Sequence, residues 1–171
     1  MPYITIKAPA QDEFVEKKSR FIGYISPVRT PEEAAEFIAE IKALHREATH
    51  NVSAWRLRDG QKRYSDDGEP QGTAGIPVLD VIEKEGLVDV CIVATRYFGG
   101  ILLGGGGLVR AYSHTAKLAV DAAQKLAMLE CRELSVSLDY SLYGRLSYIL
   151  PEYEIKVLSS DFGEKIGRAH V

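Results

Sequence analysis

The chain has 171 residues, 46% of them hydrophobic and 26% charged, with a formal net charge of −3. That composition supplies enough apolar material for a packed core and excludes a disordered chain. The slight acidity excludes nucleic-acid binding through bulk charge, though not through a local basic patch.

The two cysteines, Cys91 and Cys131, form no CxxC pair and offer no zinc site. Cys91 lies in an apolar run and reads as a buried free thiol in a reducing compartment. No signal-like N-terminal segment is visible, and no apolar run approaches the ~20 residues of a membrane helix. The expectation is a cytoplasmic protein with no membrane contact.

In chain order, alternation over residues 3–7 predicts a strand, and a second strand runs from 13 to about 25. Thr30, Pro31 and Glu33 supply an N-cap, a proline at the first helical position and a capping-box glutamate. Ala34, Phe37, Ile38, Ile41 and Leu44 continue at helical spacing, predicting a helix to about residue 47. A strand over 51–57 precedes a polar segment, 58–75, read as one long loop of the functional or mobile kind. Residues 76–84 read as a short helix with Pro77 in its first turn. The apolar run 88–95 reads as a strand at the centre of a sheet. Beyond the glycines, Leu108, Ala111, Tyr112, Thr115, Leu118, Ala119, Ala122 and Leu126 hold one helical face, so that helix is expected to reach about 126. A strand over 133–139, a helix capped by Ser141 and followed by Pro151, and a strand over 155–158 come last.

The domain boundary falls near 128–132, giving expected domains of 1–129 and 130–165. The second has about 40 residues, near the limit below which staples are needed. Residues 166–171 resemble a translated sequencing adaptor and are expected to be a foreign tail on a shortened reading frame.

The stretch Arg96-Tyr97-Phe98-Gly99-Gly100-Ile101-Leu102-Leu103-Gly104-Gly105-Gly106-Gly107-Leu108-Val109-Arg110-Ala111-Tyr112 holds six glycines between two arginines. It lies between a buried strand and a long helix. Its helix N-terminus would offer unpaired N–H groups to an anion, with charge from Arg96 and Arg110 and stacking from Tyr97, Phe98 or Tyr112. It is not a P-loop, because Gly105 and Gly106 stand where Lys and Ser/Thr are needed. It is not a GxGxxG turn either, because Val109 replaces the last glycine. A tight turn with close helix packing explains Gly104, Gly105, Gly106 and Gly107 equally well.

A second candidate is the loop Ser65, Asp66, Asp67, Gly68, Glu69, Pro70, Gln71, Gly72, Thr73, Ala74 and Gly75. Its carboxylates can hold magnesium or act as acid and base, or the loop can be a structural or partner-binding turn. Third, Arg56, Arg58, Lys62 and Arg63 beside Trp55 and Tyr64 form a basic-aromatic cluster that can meet a phosphate backbone, or simply a solvated strand end. Lys17-Lys18-Ser19-Arg20 is comparable. Histidines 45, 50 and 114 show no pairing suited to metal or catalysis.

Three of these stretches resemble the YigZ/IMPACT family: Lys17-Lys18-Ser19-Arg20-Phe21-Ile22, the loop 65–75, and Arg96-Tyr97-Phe98-Gly99-Gly100-Ile101-Leu102-Leu103-Gly104. The resemblance covers roughly residues 1–128, and 131–165 resemble the start of the small C-terminal domain of bacterial members. It implies an α+β chain. The N-terminal domain would be like the second domain of small-subunit ribosomal protein five, with strands plus helices on one side. A partial ferredoxin-like α/β C-terminal domain would follow, ending after its second strand. It also links the chain to translation: eukaryotic relatives are regulators that bind a partner of a translation-control kinase, and nucleic-acid binding is the usual proposal for the bacterial branch.

The combined expectation is a non-enzymatic module that binds RNA or a ribosome-associated protein, with no cofactor, no metal and an open oligomeric state. Its anion or nucleic-acid set is Arg96, Gly104, Gly105, Gly106, Gly107, Arg110, Arg56, Arg58, Lys62 and Arg63. Its functional loop is Ser65, Asp66, Asp67, Gly68, Glu69, Pro70, Gly72 and Thr73. The alternative is a nucleotide- or phosphate-dependent enzyme using residues 104–107, with Asp66, Asp67 or Glu69 holding magnesium. One cleft shared by the acidic loop, Arg96 and Arg110 would favour the enzyme; separate faces would favour the binding module.

Overall fold

The computed structural model describes residues 2–163 and the backbone of 167–170. The chain is mixed α+β and divides into two units, Met1–Leu129 and Glu130–Val171. In the first unit a five-stranded antiparallel sheet runs in the order β2-β3-β6-β4-β5. These strands are β2 (Ala10–Glu16), β3 (Ser19–Pro27), β4 (His50–Arg56), β5 (Lys62–Ser65) and β6 (Val90–Tyr97). A separate antiparallel ribbon pairs β1 (Tyr3–Ile6) with β7 (Lys125–Met128). The helices are α1 (Pro31–Leu44), α2 (Gly75–Lys84) and α3 (Gly105–Ala122).

Strand β6 is central, as its apolar run over residues 90–94 predicts, and its period-two alternation feeds two cores. Val90, Ile92 and Ala94 join Phe21, Val78, Ile82, Tyr112 and Ala116 beneath α2 and α3. Cys91 and Val93 join Ala34, Ile41 and Trp55 beneath α1. The resemblance implied helices on one side of the sheet; α2 and α3 follow this, while α1 covers the opposite face. Burial of Cys91 raises its thiol well above the usual range, so it is inert as a nucleophile.

Four expectations about the first unit are corrected. The single strand over 13–25 is a hairpin, because Lys17 and Lys18 both take positive φ, at 46° and 65°, and reverse the chain. The loop 58–75 contains β5, an exposed basic edge strand with no apolar alternation to betray it. Helix α3 stops at Ala122 rather than 126: Ala123 is extended, and the following residues pair with β1. Helix α1 ends at Leu44, short of 47. Its start matches its sequence, with Thr30 Oγ1 accepting from Glu33 N at 3.2 Å.

In the second unit, β8 (Ser135–Leu138), α4 (Tyr140–Ile149), a single 3-10 turn (Leu150–Tyr153), β9 (Ser159–Phe162) and β10 (Gly167–His170) follow one another. Strand β10 lies between β8 and β9 and is antiparallel to both. Phe162 packs on Tyr140 and Tyr143, with ring centroids 6.1 and 5.1 Å away. The second strand of this unit is β9 rather than the expected 155–158, β10 adds a third strand where the unit was expected to end after two, and Asp139 rather than Ser141 precedes the helix. Of the expected tail 166–171, residues 166 and 171 lie outside the described residues, and 167–170 form β10.

Candidate functional site

Strand β6 carries Arg96 near its C-terminal end, and the guanidinium turns inward rather than into solvent. Arg96 is 5% exposed. Its Nη1 donates to Glu69 Oε1 at 2.7 Å and its Nη2 to Ser19 Oγ at 3.4 Å. The guanidinium carbon lies 5.4 Å from the Phe21 ring centroid and 5.3 Å from that of Phe98. Tyr112 on α3 donates its hydroxyl to the same Glu69 oxygen at 2.7 Å, and burial and this bond push that hydroxyl up and keep it protonated. Ser19 Oγ also accepts from Gly99 N at 3.2 Å. The stretches 17–22, 65–75 and 96–104, which the sequence singles out separately, thus meet around one buried ion pair.

Close packing explains one glycine directly. A Cβ on Gly99 would lie 2.0 Å from Lys18 O, so the turn after β6 rests on the β2–β3 turn only because that side chain is absent. Gly104, the N-cap of α3, has φ 72°, which a side chain would strain. Gly105 and Gly106 are different. Neither has a positive φ, and an added Cβ would meet nothing nearer than Thr73 Cγ2 at 4.0 Å or Arg110 Nη1 at 3.6 Å. Each costs about 1 kcal/mol of helix propensity relative to alanine, and nothing in the packing requires it. With no side-chain cap on α3, their N–H groups lie among those of the first turn that have no intrahelical acceptor, at the positive end of the helix dipole.

Beside this turn lies a cleft of about 400 Å³, lined among others by His50, Glu69, Arg96, Phe98, Leu102 and Gly105. Its rim is apolar and solvent-facing: Phe98 is 44% exposed and Leu102 81%. A smaller depression of about 250 Å³, lined by Lys17, Gly107, Arg110 and His114, flanks the turn on the side of Leu103. Arg96 and the acidic loop therefore share a cleft, whereas Arg110 lines the neighbouring depression.

The acidic loop is engaged in holding the fold. Asp66 Oδ1 accepts from Ala74 N at 3.1 Å and Gly75 N at 2.7 Å, and its Oδ2 accepts from Gly72 N at 2.8 Å. It supplies the cap that α2 lacks locally. Asp67 takes Lys42 Nζ at 2.6 Å and Asn51 N at 2.7 Å on its two oxygens. Burial alone would raise its carboxyl, but the Lys42 ammonium and the Asn51 N–H outweigh this and hold it below the usual value. The Asp67 carbonyl bonds His50 Nδ1 at 2.8 Å; a carbonyl only accepts, so Nδ1 carries the proton and Nε2 faces Glu69 Oε2 at 3.7 Å. Ser65 Oγ accepts from Asp67 N, Thr73 Oγ1 donates to Pro70 O, and Gly68 and Gly72 have positive φ. The three carboxylates thus point to three different sets of donors. Among the described residues, no group of three or more His, Cys, Asp or Glu could hold a metal ion.

The basic cluster is not gathered into one face. Arg58 pairs with Asp89 at 3.5 Å, Lys62 with Glu83 at 2.6 Å, and Arg56 donates to Leu87 O at 3.4 Å. Arg63 lies by Trp55 and Lys42, against α1. In the sheet register Arg56 faces Val90 while His50 faces Arg96, so this cluster lies about 20 Å from the glycine turn.

Sequence reasoning missed Ser19, His50 and Tyr112 as partners of the buried pair. It also missed His45, whose two ring nitrogens bond Tyr24 and Tyr97 hydroxyls at 2.7 and 2.8 Å. These contacts span 19 to 77 residues, and no local spacing announces them.

The profile of the Impact N-terminal domain matches residues 17–120, which contain all three converging stretches. The chain belongs to the IMPACT family. The IMPACT family member YvyE of Bacillus subtilis (strain 168) is 41% identical over 166 residues, covering 96% of this chain and 76% of its own. The IMPACT family member YigZ of Escherichia coli (strain K12) is 35% identical over 150 residues, covering 85% and 74%. A crystal structure of an hypothetical protein is similar to this IMPACT chain with a TM-score of 0.73 at 31% identity, over 99% of this chain and 84% of that one. Among the described residues no helix is long and apolar enough to cross a membrane.

Proposed function

We propose that this IMPACT-family chain is a non-enzymatic, translation-associated binding protein that holds a ribosome-associated protein partner at the cleft beside the α3 N-terminus. Family membership supports the link to translation, and the work is then cytoplasmic. The observation that carries the choice of a protein partner is the apolar rim of Phe98 and Leu102, exposed beside open N–H groups. An enzyme using Asp66, Asp67 or Glu69 would have to break the bonds that cap α2, anchor α1 and neutralise Arg96. A single phosphate-binding face is disfavoured because Arg58 and Lys62 are paired with acids and remote from the turn. RNA is the second reading, favoured by Lys17, Arg110 and His114 around the smaller depression.

The test is co-sedimentation with ribosomes that retain their associated factors. Replacing the exposed Leu102 (L102D) leaves the core untouched and is expected to weaken association about tenfold or more, whereas R63A leaves it unchanged. Equal association of L102D and the parent chain would refute the docking role of this cleft.

A further inference from the structure

The cleft combines three features that together specify what enters it. Its mouth is apolar, formed by Phe98 and Leu102, with Leu103 and Leu108 along the wall. One wall ends at Gly104 and Gly105 in the open first turn of α3; Gly105, and Gly106 next to it in the same turn, lack side chains although neither packing nor a positive φ demands it. Its floor contains Arg96, whose Nε is the buried side-chain nitrogen that finds no hydrogen-bond partner among the described residues.

Backbone N–H groups without side chains around them accept close approach by an anionic group, and the helix dipole favours its charge. Glu69 lines the same cleft with its carboxylate, which disfavours a dianion such as a phosphate monoester more than a single negative charge. Aliphatic walls provide few groups to pair the edge of a base. The volume, about 400 Å³, lies at the low end for ligand clefts and suits the end of a chain better than a long segment of it.

Resting on the reading of this cleft as a protein-docking site, we propose that its occupant is the C-terminus of a partner protein. The terminal carboxylate would sit on the N–H groups of Gly105 and Gly106, and an apolar last side chain would lie against Phe98 and Leu102. This is the capture of a chain terminus by a backbone nest, with specificity from the adjoining apolar pocket.

The experiment uses the full chain and an array of peptides with randomised C-terminal residues, each synthesised as the free acid and as the amide. The expected result is selection of free acids ending in Leu, Ile, Val or Phe, with each amide about tenfold weaker or more. The G105D variant places a carboxylate at the first turn of α3. Its melting temperature is expected to be no lower than the parent's, because the position is open and an acidic residue suits a helix N-terminus. Its free-acid binding is expected to vanish. Absence of any selected peptide, equal binding of acids and amides, or preferential binding of AMP or inorganic phosphate would each overturn the proposal. If the acid preference fails while L102D still loses ribosome association, the terminus is wrong and the docking cleft stands.

Discussion

Arg96 is the residue on which the first unit is organised. A buried guanidinium is tolerated because Glu69 neutralises it, Ser19 accepts from it, and two phenylalanine rings flank it. Removing one member leaves the other charge unpaired in the interior. E69A is therefore expected to lower unfolding free energy by about 3–5 kcal/mol in urea titration, and the double variant E69L/R96M to recover much of that loss. A double variant no better than the single one would mean that Glu69 acts through something other than the charge of Arg96. Asp67 gives the acid limb of stability. Its carboxyl lies lower in the folded chain than in the unfolded one, so its contribution is complete above about pH 4 and is lost as pH falls through the folded value. In D67N the decline of stability on acidification is expected to be shallower, as read from melting temperatures across that range. At this scale the sequence was legible only in part. The stretch beginning at Arg96 borders the cleft, but the arginine faces Glu69, 27 residues away, instead of an external anion.

Elements whose signals are local were legible. Helix α1 announces itself through Thr30, Pro31 and Glu33, and β6 through its apolar run. The β2–β3 turn was hidden because two lysines, rather than Asn-Gly or Gly-containing pairs, occupy the positive-φ positions. Strand β7 was hidden because Leu126 continues the helical face of α3. What decides it is pairing with β1, with Ile6 opposite Lys125, across nearly the whole unit. The start of α2 shows a further non-local dependence. Ala74 offers no side-chain cap, and Asp66 reaches across the loop to serve three N–H groups. D66A is expected to cost about 1–2 kcal/mol, with increased hydrogen exchange at Gly72, Ala74 and Gly75. Unchanged exchange at those amides would show that the loop is held by other contacts.

Across the whole molecule, charge alone does not define a nucleic-acid face. The net charge is −3, and two of the four cluster cations, Arg58 and Lys62, are paired with acids at the far end of the sheet from the glycine turn. The apolar rim of the cleft was legible only in part: Phe98 offered a stacking ring, whereas Leu102 carried no signal that it faces solvent. Only their outward position separates a docking surface from packing. The most direct measurement is the salt dependence of association with ribosomes. Apolar docking predicts that affinity changes by less than about tenfold between 50 and 200 mM salt and collapses in L102D, whereas contacts with many phosphates would lose about 10³–10⁵ over that range. A loss of that size in the parent chain, with L102D behaving identically, would contradict protein docking at the cleft.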